Sequence, residues 1–230
     1  MKFPRSILNE FFKSTDAKEG ISSLWGNFGV GKTTLALQFA WKNAINNKNV
    51  LYIYSKPNFP FNKISTLFET NLEELLENIQ FIKSINFLEL FRLVFNLEFL
   101  ILNRLRLGNG ILGMIIIDSL TDLYRLELHS NKKEKNVMLN YKLNQILANL
   151  SFLNKQYDIR ILITNELSRN TIEGEVYDVE SGGNVMEYWV KNSIKIERTD
   201  VVNNRKFILY DGDGKTQSVL NSKLTNHGFE

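Results

Sequence analysis

The stretch GNFGVGKT, at residues 26–33, restricts the fold of this chain more than any other. It matches the pattern G-x-x-x-x-G-K-[ST], in which glycines let the backbone curl until its N–H groups point inward at phosphate oxygens. The pattern needs a β-strand before it and a helix after it, because the helix N-terminus adds its positive end. ISSLW precedes the loop and TTLALQFAWKNAI follows it. The sequence therefore predicts a P-loop fold of the α/β class; the alternative is a glycine-rich turn with an incidental lysine.

The positions of this loop predict a nucleotide site. Lys32 would reach the β- and γ-phosphates, and the Thr33 hydroxyl would ligate Mg²⁺. The apolar strand MIIID ends at Asp118, whose carboxylate would hold the same Mg²⁺; alternatively, Asp118 or Ser119 caps the following helix. We therefore expect a nucleoside triphosphate and Mg²⁺ at this site. The predicted nucleotide-binding residues are Gly26, Asn27, Phe28, Gly29, Val30, Gly31, Lys32, Thr33 and Thr34.

Short apolar runs alternate with helical patterns along the rest of the chain. Strands are predicted at 21–25, 49–54, 112–118 and 159–164, and helices at 32–46, 86–106 and 137–155. Residues 190–198 and 205–211 are typical of an antiparallel hairpin. This order predicts a mostly parallel, doubly wound sheet with an antiparallel C-terminal hairpin. We expect one domain over residues 1–230, with residues 1–20 as a docking segment or linker, and a ligand at the carboxyl ends of the parallel strands.

Composition excludes several other classes of protein. The chain has no cysteine, which excludes a disulfide scaffold, a thiolate zinc site and a cysteine nucleophile. Its net charge of +3 is compatible with a nucleic-acid partner without indicating one. The most apolar stretch, residues 87–108, is interrupted by charged side chains, which favours a buried helix over a membrane span. The N-terminus has no signal-peptide pattern, so we expect a cytoplasmic protein with no membrane partner.

Five stretches of the chain resemble the RecA-type recombinases, most closely their archaeal RadA/RadB branch. In chain order they are WGNFGVGKTTLALQFA, NVLYIYS, IIIDSLTDLYRLEL, YDIRILITNE and SGGNVMEYWVKNSIKIER. They follow the family's order and roughly its spacing, so the resemblance covers nearly the whole chain. It implies a RecA-like ATPase core that acts in homologous recombination or DNA repair. It also implies association with recombinase or paralog subunits, or with further copies of the chain.

Two departures from the family's pattern lie at the catalytic and sensor positions. The family's second strand continues into YIDTE, whose glutamate activates the attacking water, whereas this chain has YIYSK and places Lys56 in that slot. Loss of a general base typically costs about 10²–10⁴ in rate. The family's TNQ, whose glutamine senses the γ-phosphate, is TNE here and ends at Glu166. The resemblance therefore assigns no catalytic residue, and Lys56 and Glu166 occupy the family's catalytic and sensor positions. We hypothesise that Lys56 and Glu166 form an ion pair; alternatively, Lys56 is a solvated loop residue.

The resemblance implies two DNA-facing loops, and we expect their contact with DNA to be weak. The first, residues 125–135, is mildly basic through Arg125, Lys132, Lys133 and Lys135 and could contact phosphates, or could simply be solvated. The second, residues 166–187, has Arg169 alone against six acidic side chains, and this charge would repel a polyanion. The aromatic side chains that follow it, Tyr188 and Trp189, are expected to be core anchors.

The favoured interpretation is an ATP-binding accessory or regulatory paralog of recombination and repair, with weak ATP hydrolysis. One alternative is a competent DNA-dependent ATPase in which another residue replaces the missing base. The other is a KaiC-like or other RecA-fold assembly subunit that does not act on DNA and uses nucleotide to hold an interface together.

Overall fold

The fold is built around one mixed β-sheet, seen in a computed structural model that describes residues 20–68, 76–110, 112–129, 131–172 and 174–230. The strands are β1 (Ile21–Gly26), β2 (Asn49–Tyr54), β3 (Ile79–Lys83), β4 (Leu112–Asp118), β5 (Arg160–Ile172), β6 (Glu175–Glu180), β7 (Val190–Arg198), β8 (Asn204–Tyr210), β9 (Thr216–Thr225) and β10 (Gly228–Phe229). The helices are α1 (Lys32–Ala44), α2 (Phe61–Leu67), α3 (Phe87–Phe95), α4 (Leu97–Arg106), α5 (Leu120–Leu126), α6 (Lys133–Tyr157) and α7 (Gly183–Trp189).

The strand order confirms the predicted sheet. Its strands lie in the order β10-β9-β8-β7-β1-β5-β4-β2-β3. The strands from β7 to β3 in that order are parallel to their neighbours, and β8, β9 and β10 continue the sheet in antiparallel fashion. The predicted C-terminal hairpin is the β7–β8 pair. The central strand β4 is buried almost throughout, because helices cover both faces of a parallel sheet.

Two hydrophobic clusters form the core, one on each face of the sheet. The first joins the sheet to α1, α2 and the Phe229 ring of β10. The second joins it to α3, α4, α5, α6 and α7. Side chains of β2 alternate between the clusters, as the two-residue period of a strand requires: Tyr52 lies in the first, and Leu51 and Ile53 lie in the second. Because β1, β2, β4 and β5 are parallel, their carboxyl ends lie at one common edge of the sheet.

Several elements differ from the sequence prediction. The helix predicted at 86–106 is two helices, α3 and α4, which meet at a turn at Asn96, whose side chain donates to the Arg92 carbonyl at 2.8 Å. The segment predicted as a loop at 166–187 is instead an antiparallel ribbon, in which β5 runs on to Ile172 and pairs with β6, followed by α7. The sequence prediction also missed β3, β9 and β10, which lie at the two margins of the sheet.

Two other sequence predictions concern the extent of the chain. Residues 1–19 of the predicted docking segment lie outside the described residues, and the single domain over 1–230 stays a prediction. Among the helices in the described ranges, none is long and apolar enough to cross a membrane.

Candidate nucleotide-binding site

The carboxyl ends of four parallel strands bring the predicted site residues together. In the register of the sheet, Tyr54 at the end of β2 lies opposite Asp118 at the end of β4. Asp118 in turn lies opposite Thr164 in β5. Two residues further along β5, Glu166 lies opposite Gly26 at the end of β1. The predicted loop, the end of β4 and the TNE stretch therefore share one edge of the sheet, where ligands of open α/β sheets bind.

The predicted phosphate loop, Gly26–Thr34, connects β1 to α1 in a conformation that requires glycine. Gly26 has φ +146°, and a Cβ there would lie 2.3 Å from the Ile196 carbonyl oxygen. Gly31 has φ +110°, and a Cβ there would lie 2.5 Å from the Phe229 ring. Gly31 also precedes α1 without a side-chain cap, so the N–H groups of the first helical turn remain available. A curled loop before uncapped helix N–H groups suits a bound phosphate.

Lys32, the lysine of the loop, is held by three oxygen atoms of the protein. Its ammonium donates to the Gly26 and Asn27 carbonyls at 2.8 and 2.9 Å and to Glu166 Oε2 at 3.0 Å. The side chain is only 4% exposed, and burial lowers its pKa, an effect that Glu166 opposes. An ammonium has three N–H donors. Lys32 must therefore release at least one of these oxygen atoms to bind a phosphate.

Asp118 is a fully buried carboxylate that accepts bonds on both oxygen atoms. Tyr52 Oη donates to Oδ2 at 2.9 Å, and Thr164 Oγ1 donates to Oδ1 at 2.6 Å. The residue that caps α5 is Ser119, whose Oγ accepts from the Asp122 N–H at 3.1 Å. The capping role that we considered for Asp118 therefore belongs to its neighbour, and the Asp118 carboxylate faces the site.

Lys56 provides the cation that faces Asp118. Its Nζ lies 3.2 Å from Asp118 Oδ1 and donates to Thr33 Oγ1 at 3.0 Å. Burial lowers the pKa of Lys56, but Asp118 and Asp122 outweigh this effect, so the net shift is upward and the side chain is a cation. Its exposed fraction is 20%. The interpretation of Lys56 as a solvated loop residue is therefore wrong.

The hypothesised ion pair between Lys56 and Glu166 is also wrong. In the described part of the chain, Glu166 pairs with Lys32 and Lys56 pairs with Asp118. The register of the sheet explains the exchange of partners. Glu166 lies opposite Gly26 beside the loop lysine, whereas Lys56 follows β2 and reaches Asp118 on the adjacent strand β4. Glu166 acts on Lys56 only as a weaker, more distant charge.

Thr33 and Asp118, the predicted Mg²⁺ ligands, lie close to each other, and both contact the Lys56 ammonium. Mg²⁺ requires oxygen ligands at about 2.0–2.1 Å in an octahedral shell. A divalent cation could not share this position with an ammonium 3.0 and 3.2 Å from the two oxygen atoms. The described residues also contain no group of three acidic, histidine or cysteine side chains that could hold a metal ion. The side chains as arranged therefore do not fit Mg²⁺, whereas the loop backbone fits a phosphate.

Some residues of the site carry no signal in the sequence. The Lys63 ammonium, on α2, donates to Thr34 Oγ1 at 2.8 Å. Lys63 is therefore a third lysine in contact with the site, beside Lys32 and Lys56. Burial lowers the pKa of Lys63, and Asp118 opposes that effect. Tyr52 lies in the apolar strand β2, where its sequence position indicates only a core residue. Neither residue belongs to a motif, so only the three-dimensional arrangement reveals them.

The residues predicted to face DNA lie in two separate places. Arg125, in the last turn of α5, is exposed, and so are three lysines at the start of α6, namely Lys132, Lys133 and Lys135. Arg169 lies on the β5–β6 ribbon and pairs across it with Asp178 at 3.8 Å. Contact of these side chains with DNA stays a prediction.

The acidic charge of the ribbon is partly neutralised by the protein itself. Glu166 is paired with Lys32, and Asp178 contacts both Arg169 and Lys195. Glu180 accepts from the Ser23 hydroxyl at 3.0 Å and from the Asn165 amide. Less negative charge is therefore available to repel DNA than the sequence suggests.

The two aromatic side chains after the ribbon differ in burial. Trp189 packs against the core and donates to Asn144 Oδ1 at 2.8 Å, as expected of a core anchor. Tyr188 is 70% exposed, so the same expectation is wrong for it.

Replacing Glu180 by glutamine is expected to remove part of the pH dependence of stability. Burial raises the pKa of Glu180 to about 7, although hydrogen bonds from Asn165 and Ser23 oppose it. Between the model-peptide pKa of 4.5 and about 7, the folded state holds a proton that the unfolded chain releases, so wild-type stability falls as the pH rises. At about pH 8 the Glu180→Gln variant should be more stable than wild type by about 1–3 kcal/mol in urea unfolding, and near pH 5 the two should agree.

The matched control is Glu187→Gln, which changes an exposed carboxylate on α7. It should leave the pH dependence unchanged. Equal stability of the Glu180→Gln variant and wild type at both pH values would contradict a raised pKa at this position.

The sequence of this chain is similar to those of known proteins. The sequence model of the Rad51 family matches residues 7–225. The protein "DNA repair and recombination protein RadB" of Methanococcus maripaludis is 33% identical over 226 residues, which cover 97% of each chain. The protein of the same name from Methanocaldococcus jannaschii is 31% identical over 192 residues, 84% of each chain. That of Methanosphaera stadtmanae is 27% identical over 194 residues, which cover 84% of this chain and 79% of the relative.

Proposed function

The chain belongs to the Rad51 family, and from that premise we propose that it binds ATP at Gly26–Thr34 as an accessory protein of DNA repair and recombination. Proteins of this family bind ATP. The observation that carries the proposal is the glycine-shaped loop, which ends in uncapped helix N–H groups beside a buried lysine. Backbone donors, the positive end of a helix and an ammonium together match the charge of a triphosphate.

We propose that hydrolysis at this site is weak. Where relatives with the YIDTE pattern have a glutamate, this chain has a lysine whose ammonium is bonded to Asp118 and Thr33. A lysine in that arrangement cannot accept a proton from an attacking water, because its pKa is raised and it is already protonated. The pairing of Lys32 with Glu166 also competes with the phosphate for the lysine. Both features support slow turnover of a nucleotide bound at this site.

An accessory role fits a protein that binds nucleotide but turns it over slowly. We propose that it associates with recombinase or paralog subunits, or with further copies of itself, and that nucleotide binding favours one such assembly. Contact with DNA is proposed to be weak and to involve Arg125 and the lysines at the start of α6, since these are exposed and close in sequence.

The Lys32→Ala variant tests the site. It removes the ammonium that would contact the phosphates, and hydrogen bonds to charged groups contribute about 1.5–3 kcal/mol. The dissociation constant for ATP, measured by isothermal titration calorimetry, should rise by about 10- to 150-fold.

The control for this titration is Lys155→Ala, which removes an exposed lysine in the last turn of α6. It should bind ATP as wild type does. Equal affinity of the Lys32→Ala variant and wild type would overturn the assignment of Gly26–Thr34 as the nucleotide site.

A further inference from the structure

The Lys56 ammonium lies where the sequence predicts a divalent cation. Thr33 Oγ1 and Asp118 Oδ1 are the two oxygen atoms assigned to Mg²⁺, and Lys56 Nζ lies 3.0 Å from the first and 3.2 Å from the second. A cation is present at this position, but it is a side chain of the protein. Lys56 follows β2 in the chain, at the sequence position where the family's pattern has an acidic residue.

We propose that the Lys56 ammonium takes the place of the divalent cation, so that this chain binds nucleoside triphosphates in their metal-free form. The inference rests on the proposed nucleotide site. It deepens that proposal by naming the form of the ligand.

The hydrogen bonds of Lys56 leave one donor for the ligand. An ammonium has three N–H donors, and two of them are used by Thr33 and Asp118. Among the described residues the third has no partner, so it can donate to a phosphate oxygen. Side-chain exposure of 20% shows that Lys56 is not sealed in the core. A lysine held on two sides therefore keeps one donor for a ligand of the loop.

The positive charge around the loop also suits a ligand without a metal. Lys32 contacts the carbonyls of Gly26 and Asn27, Lys56 contacts Thr33, and Lys63 contacts Thr34 at 2.8 Å. Free triphosphate carries more negative charge than its Mg²⁺ complex. Lys32 and Lys56 are each paired with a carboxylate, Glu166 and Asp118, so among the described residues Lys63 contributes the positive charge without an ion-pair partner. A metal placed beside Lys56 would add a like charge at close range.

The test compares ATP binding to the wild-type protein in excess MgCl₂ and in excess EDTA, by isothermal titration calorimetry. The dissociation constant in EDTA should be equal to that in MgCl₂ within about threefold, or lower. Binding that is about tenfold or more weaker in EDTA would overturn the inference while leaving the proposed nucleotide site intact. Absence of binding in both solutions would overturn the proposed site and the inference together.

The Lys56→Met variant gives a second readout of metal dependence. It removes the ammonium but keeps a side chain of similar length, so Thr33 and Asp118 become available to a metal. Its affinity for ATP should fall by about tenfold or more in EDTA and recover in MgCl₂. The same affinity in both solutions for this variant would contradict the role of Lys56. If the variant does not fold, the wild-type comparison still decides.

The matched control is Lys83→Met. Lys83 is a nearby exposed lysine that donates to the Pro57 carbonyl at 3.1 Å. Its replacement removes one positive charge near the site without touching Thr33 or Asp118. The control should show the wild-type response to EDTA. Metal dependence in this variant as well would attribute the effect to general charge and overturn the specific role of Lys56.

Discussion

The Asp118→Ala variant is expected to lose about 3–5 kcal/mol of unfolding free energy, because it breaks a buried ion pair by removing one partner. Asp118 is fully buried, and its carboxylate is the acceptor for Lys56, Tyr52 and Thr164. Alanine would leave a partly buried ammonium without its counterion and two hydroxyl groups without their acceptor. Urea unfolding at neutral pH, followed by circular dichroism, measures the loss.

Two further variants show whether the ion pair is the cause. Asp213→Ala replaces an exposed aspartate in the turn between β8 and β9, and its stability should stay within about 0.5 kcal/mol of wild type. The double variant Lys56→Met/Asp118→Ala should be more stable than the sum of the single effects predicts, by about 0.5–3 kcal/mol. Strictly additive losses would contradict the pairing of Lys56 with Asp118.

The double variant Lys56→Glu/Glu166→Gln is expected to hydrolyse ATP about 10²–10⁴ times faster than wild type. A glutamate at position 56 would supply the general base that the family's YIDTE pattern implies. Glutamine at position 166 would remove the carboxylate that now binds Lys32 at 3.0 Å. Because the change also removes the ammonium beside Asp118, hydrolysis by this variant should require Mg²⁺. Single-turnover phosphate release in MgCl₂, with and without single-stranded DNA, measures the rates.

The single variants separate the two causes of slow turnover. Glu166→Gln alone should bind ATP more tightly than wild type and remain slow, because Lys56 is still present. Lys56→Glu alone should be faster than wild type and slower than the double variant, because Lys32 is still paired. Rapid turnover by the wild-type protein, with or without DNA, would contradict the proposal of weak hydrolysis.

The sequence predicted the parts of the fold that depend on local pattern. The run LGMIIID is typical of a parallel strand covered on both faces, and it is the central strand β4. The spacing of Gly26, Gly31 and Lys32 is set by the backbone conformation that a phosphate loop needs. The sequence alone therefore located the loop between β1 and α1 to the residue. Asp118 could be placed at the site because strand ends and loop must share one edge of the sheet.

The features that were missed depend on contacts between distant segments. Which lysine meets which carboxylate is set by the register of β1, β2, β4 and β5, and the sequence gives no register. The β5–β6 ribbon was predicted as a loop because its exposed strands mix polar and apolar residues on both faces and show no apolar alternation. Asn96 breaks an apolar stripe that continues on both sides of it, so α3 and α4 were predicted as one helix.

The continuous strand β5 connects the nucleotide loop mechanically to the exposed ribbon. Thr164 and Glu166, which touch Asp118 and Lys32, belong to the same strand that extends without interruption to Ile172. A partner that binds the ribbon and tilts it would move the β5 backbone, which positions Glu166. Such a movement would lengthen or shorten the contact between Glu166 and Lys32. A neighbouring subunit bound to the ribbon would thereby change how readily Lys32 leaves Glu166 for a phosphate.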